Sequence, residues 1–180
     1  MLPGQRSGPE LAPDDDAVLA VTVLGLPAPQ GSKSPRVGDR VVESAAAVKP
    51  WPEVVVRATR QAITRKRGWS ALTGLLEASM VFSFTRPREH FGTGWDAGLL
   101  RASAPPRPDV TPDLIKLARS TEDALAVAGA YRDDALLVGY RRLEKRYTTD
   151  HGRVPDVLAL QGAVIRLYRA ASAPPGGDGP

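Results

Sequence analysis

Residues 113–134, DLIKLARSTEDALAVAGAYRDD, contain one helix and the acidic corner that follows it. At about 100° per residue, Leu114, Leu117, Ala118, Thr121, Ala124, Leu125 and Ala128 share an arc of about 120°, which is expected to face a core. Glu122, Ile115, Arg119, Asp123, Lys116 and Ser120 fill the opposite side. Thr111 is expected as the N-cap, with Pro112 at the first helical position and Asp113 in the first turn. Gly129 supplies the C-terminal stop. The Asp133-Asp134 pair then precedes an apolar strand that starts at Ala135. Crowded carboxylates repel one another unless a divalent cation sits between them. The stretch therefore reads either as a hard-metal site or as an amphipathic helix with a solvated polar face. Asp113 opens the helix and Asp134 follows it, so the two cannot meet through the helix itself. Either the next strand runs back alongside, or a second copy of the chain intervenes.

Working outward, residues 17–27 are β-branched and apolar and read as a strand ending at Pro27. Residues 28–39 have turn composition, with Lys33 and Arg36 available to an anion, and 40–44 form a short extended piece. Residues 50–66 read as a helix, with Pro50 and Pro52 confined to its first turn. A strand is expected over 75–85, with Met80, Phe82 and Phe84 on one face. A long Pro- and Gly-rich connection spans 86–112. Strands are expected over 135–147 and 162–168. Residues 1–16 and 170–180 read as loose tails. The order β-α-β-α-β-β over residues 17–169 indicates one α/β (α+β) domain: a mixed sheet packed against two main helices.

The composition narrows the function classes. With 180 residues and a 42% apolar fraction, the chain suits one globular domain. It has no cysteine, which excludes disulfides, thiolate zinc sites and cysteine nucleophiles. No apolar run approaches the roughly 18 residues of a membrane span, and the N-terminus lacks a secretory apolar core. A cytoplasmic location with no membrane partner is the expectation. The net charge of +4 and pI near 9.7 permit nucleic-acid binding. Two basic clusters stand out: Arg57, Arg60, Arg65, Lys66 and Arg67, and Arg141, Arg142, Lys145 and Arg146. Each is either a solvated face or a phosphate-holding surface. His90 and His151 read as loop residues and Trp51 as core.

In these residues the chain resembles the RusA family of Holliday-junction resolvases. The family pattern is Asp-x-Asp at a helix start, a basic residue six positions after the first Asp, then Asp-Ala-Leu, a Gly and an Asp-Asp pair. Asp113, Arg119, Asp123-Ala124-Leu125, Gly129 and Asp133-Asp134 match it in type and spacing. Upstream, Gly25-Leu26-Pro27-Ala28-Pro29-Gln30-Gly31-Ser32-Lys33 and Val48-Lys49-Pro50-Trp51 resemble the family's first loop and the start of its first helix. The match covers about residues 21–168.

The resemblance implies a homodimer that binds four-way branched DNA and cuts paired strands with Mg²⁺, Mn²⁺ being the alternative cation. Asp113, Asp134 and Asp133 are then the expected metal ligands, with Asp113, Arg119 and Asp134 catalytic. Asp123, Asp109 and Glu122 would be supporting carboxylates. Lys33, Arg36, Lys49, Arg86 and Arg88 are the expected DNA contacts, with Trp95 stacking on splayed bases. One position departs from the pattern: the second Asp of Asp-x-Asp falls on Ile115, which cannot ligate a metal. Three alternatives follow. Glu122 reaches toward the cation, Asp109 folds back to replace the missing ligand, or the protein binds junctions with little cutting.

Overall fold

The computed structural model describes residues 16–29 and 50–171. β1 (Leu19–Leu24) alternates strictly: Leu19, Val21 and Val23 are buried, while Ala20, Thr22 and Leu24 face outward. That period of two marks a strand with one wet face. α1 (Trp51–Thr64) begins after Pro50 and buries Trp51, Val54, Val55 and Thr59. β2 (Leu76–Phe84) is buried over nearly its whole length, because neighbours cover both its edges and both its faces. α2 (Leu114–Ala128), β3 (Leu137–Tyr147) and β4 (Gly162–Arg169) complete the expected element order.

The four strands form one mixed sheet in the order β1-β4-β2-β3. β4 runs antiparallel to both neighbours, from Leu19↔Leu167 to Leu24↔Gly162 on one side and from Leu76↔Arg169 to Ser83↔Gly162 on the other. β2 and β3 are parallel, from Leu76↔Leu137 to Phe84↔Tyr147, and α2 makes the crossover between them. Gly162 has to be glycine: a Cβ there would lie 2.1 Å from the Val23 carbonyl oxygen.

The core lies between the sheet and the two helices. Trp51 sits at its centre, 6.2 Å from the Phe82 ring, and its indole N–H donates to Thr121 Oγ1 at 3.0 Å. Thr121 in turn donates to the Leu117 carbonyl at 2.8 Å, so this polar pair is satisfied in the interior. The core position read for Trp51 therefore holds.

Several details differ from the sequence reading. The helical N-cap is Asp113, not Thr111: Asp113 is extended (φ −63°, ψ 136°) and its carboxylate accepts from Ile115 N and Lys116 N. An ionised carboxylate is a stronger acceptor for these orphan amides than a hydroxyl. Ser120, placed on the polar side of α2, is buried because α1 packs against that flank. A 3-10 turn (Asp134–Leu136) precedes β3, with Asp133 accepting from Ala135 N, so the strand starts two residues later than expected. Asp16, read as tail, pairs with Arg141 at 2.5 Å, and Ala170 N donates to Leu75 O, so sheet-associated order reaches past both expected domain limits. Among the described residues, no helix is long and apolar enough to cross a membrane.

Candidate functional site

α2 carries acidic groups at two separate places. At its N-terminal end, Asp113 Oδ1 is occupied by the Ile115 and Lys116 amides at 2.9 and 3.3 Å. β3 does run back alongside α2, but it delivers a cation: Lys145 Nζ donates to the carbonyls of Val110 (2.7 Å) and Pro112 (3.1 Å). Asp109 belongs to this end. Burial pushes the Tyr147 phenol above its usual range and Arg86 opposes that, while the charges of Asp109 and Glu89 add to it.

The second group lies in the middle of α2 and at the corner beyond it. The Tyr131 hydroxyl donates to the Glu122 carbonyl at 2.8 Å, folding the post-helix turn back onto the helix. This brings the charge of Asp134 within reach of Glu122. Burial raises the Glu122 carboxyl above the usual carboxylate range, Asp123 and Asp134 raise it further, and Arg119 opposes them. The same surroundings raise the Tyr131 phenol, burial first and then Glu122, Asp134 and Asp123. Asp134, Glu122, Asp123 and Arg119 thus form one electrostatic cluster.

Asp113 and Glu122 are nine residues apart on the helix, a rise of about 13 Å. Within one copy, the fold does not bring Asp113 to Asp134. Among the described residues, no group of three or more acidic or histidine side chains is arranged to hold a metal ion. Ile115, at the position of the missing carboxylate, points to solvent with 65% of its surface exposed. Glu122 shares its surroundings with Asp134, at the far end of α2 from Ile115, and the charge of Asp109 acts on Tyr147.

The expected DNA contacts divide. Trp95 stands fully exposed at the tip of the 86–112 connection, on a loop closed by bridges between Phe91 and Leu100 and between Gly92 and Ala97. Arg88, in the same connection, is also exposed. Arg86 is not available: it is 6% exposed, donates to Thr149 Oγ1 and the Pro105 carbonyl, and lies 3.8 Å over the Tyr147 ring. It anchors the base of the loop instead, because a buried guanidinium requires acceptors and a π face. Lys33, Arg36 and Lys49 lie outside the described residues. His90 is half-buried against Tyr147, and His151 Nδ1 is 2.7 Å from the Val157 carbonyl, so each histidine has a loop-packing role.

One cluster was not anticipated as a unit. Glu144, only 9% exposed, is held by Arg107, Arg142 and Arg146. Arg142, Glu144 and Arg146 follow the strand period of two and align with Ser79, Val81 and Ser83, on the face turned away from the helices. That i, i+2, i+4 alternation was present in the sequence, though Arg107 was not predictable from it. Scanning the chain against protein-family models gives no match, and neither does searching curated proteins.

Proposed function

We propose that this chain binds branched DNA and hydrolyses its phosphodiester bonds, as a Holliday-junction resolvase of the RusA type. The observation that carries this reading is the pattern Asp113, Arg119, Asp123-Ala124-Leu125, Gly129 and Asp133-Asp134, spread along one helix and the corner that folds back on it. Arg119 supplies a fixed positive charge beside the acidic cluster, where it can offset charge building on a phosphate. Trp95 offers an exposed aromatic face to an unpaired base.

A divalent-cation requirement, Mg²⁺ or Mn²⁺, belongs to the reading, and so does a homodimer. Asp113 and Asp134 lie apart in one copy, and carboxylates from a second copy would complete a ligand set. Paired, symmetric cutting also requires two sites related by a two-fold axis.

A second reading is a junction-binding protein that does not cut efficiently. The exposed Ile115 and the divided carboxylates favour it. One experiment separates the two: incubation of a fixed four-way junction with the protein and Mg²⁺, with Asp134→Asn as the blank. The expected result is paired nicks that vanish in Asp134→Asn while junction binding persists. Undiminished cleavage by Asp134→Asn would overturn the assignment. Tight binding without nicks, together with a large gain of cleavage in Ile115→Asp, would establish the second reading.

A further inference from the structure

α1 and α2 do not close against each other on their outer side. Between them runs a solvent-open groove of about 950 Å³. Arg57, Arg60 and Arg65 line one wall, and Ser120, Asp123 and Val127 line the other. The Arg60 guanidinium reaches across and donates to the Val127 carbonyl at 3.3 Å, which fixes a positive charge over the groove. A smaller cavity lined by Lys116 and Arg119 shares Ser120 and Asp123 with the groove, so the two adjoin.

Two independent features mark this surface as a place for an anion. The first is charge: five cations, Arg57, Arg60, Arg65, Lys116 and Arg119, line the two spaces with two carboxylates, Glu53 and Asp123, while Glu122 and Asp134 act on the Arg119 end alone. Among the described residues, Arg57, Arg65, Lys116 and Arg119 form no ion pair. The second is Ser120. It is 4% exposed, it lines both spaces, and among the described residues its hydroxyl has no hydrogen-bond partner. A buried hydroxyl left unpaired is costly, and the penalty disappears once an acceptor enters.

We propose that the α1/α2 groove is the track of a DNA phosphodiester backbone. Arg57, Arg60 and Arg65 hold successive phosphates, and the Ser120 hydroxyl donates to a phosphate oxygen where the strand passes toward Arg119. Arg57 and Arg65 are eight residues apart, a rise of about 12 Å, which spans roughly two steps between successive phosphates of one strand, enough for three phosphates. An acidic protein segment would satisfy the same charges. DNA is the occupant the arrangement favours because the groove leads to Arg119, and this choice rests on the reading of the acidic helix as part of a DNA-cutting site.

The test is fluorescence anisotropy with a labelled four-way junction and a matched duplex, across about 50 to 200 mM salt, the range in which counterion release is resolved. Arg57→Ala/Arg65→Ala removes two exposed arginines whose side chains make no hydrogen bond among the described residues, so α1 should persist. This variant is expected to bind roughly tenfold or more weakly, and the slope of log affinity against log salt should fall by about two. The charge-matched Arg153→Ala/Arg169→Ala, on the loop after β3 and the end of β4, should change neither quantity. Ser120→Ala should weaken binding a few-fold with an unchanged slope, because a neutral donor releases no counterion.

An Arg57→Ala/Arg65→Ala variant with the full affinity and salt slope would overturn the groove, even if cleavage and its dependence on Asp134 were intact. Equal affinity for junction and duplex, both lost in that variant, would leave the groove standing and overturn junction selectivity. A chain that binds neither DNA would overturn both.

Discussion

Glu144 shows how much one side chain can organise. Burial alone would raise its carboxyl, but the hydrogen bonds and charges of Arg142 and Arg146 outweigh burial and hold it below the usual carboxylate range. Because the folded-state pKa is depressed, the stabilisation is present above the unfolded value. It is lost as pH falls through the folded one. Glu144→Gln would leave three arginines crowded without their shared anion. A loss of about 1–3 kcal/mol is expected, discounted from the fully buried case for the partial exposure of the arginines. Thermal melts from pH 7 down to about pH 3 check this: wild type and variant should converge as Glu144 protonates. A constant gap across that range would show that the ion pairs are not its origin. The lesson at this scale is mixed. Arg141, Arg142, Lys145 and Arg146 read as one basic cluster in the sequence, yet the fold splits them. Arg142 and Arg146 take Glu144, Arg141 takes Asp16 and Glu77, and Lys145 caps carbonyls at the start of α2. Strand alternation carried part of that division. The irregular register between Ala78 and Ser79 that displaces Arg141 left no trace in the sequence.

At the level of the element, α2 was readable because its apolar period is strong and its ends carry recognisable stops. Gly129 takes φ 86°, the left-handed C-cap conformation expected of it. The start was misread by two residues, since Thr and Asp are both good caps and local sequence does not rank them. The corrected cap gives Asp113 a structural duty that a nuclease assay alone would confuse with chemistry. Asp113→Ala is expected to cost about 1 kcal/mol through loss of the cap, which lowers the melting temperature by about 2–4 °C in a domain of this size. Asp113→Asn keeps a capping oxygen and should melt close to wild type. If Asp113 also serves in cleavage, the Asn variant loses activity with its stability preserved. Retained cleavage in Asp113→Asn would confine this residue to helix capping.

For the whole molecule, element order and sheet type followed from composition and periodicity, because helix and strand periods are local properties. The separation of Asp113 from Asp134 did not, since it depends on which end of α2 each strand approaches. The burial of Arg86 was equally hidden, as its acceptors come from residues 105 and 149. Trp51 joins the two levels: its ring packs on Phe82 of β2 and its N–H meets Thr121 of α2. Trp51→Ala should therefore destabilise the whole domain, by about 3–5 kcal/mol. In a denaturant titration all probes should shift together. A loss confined to helical signal would show that the helices unfold separately from the sheet.

The position of β4 has one more consequence, for biosynthesis. β4, the last of the described strands in chain order, is an inner strand of the sheet, lying between β1 and β2. Among the described residues, β1 has no hydrogen-bonding neighbour in the sheet until Gly162–Arg169 emerges, although it is made before every other described strand. Among the described strands, β1 therefore waits unpaired while α1, β2, α2 and β3 are made. That is the interval in which a chaperone, or another nascent copy, competes with the protein's own C-terminal strand.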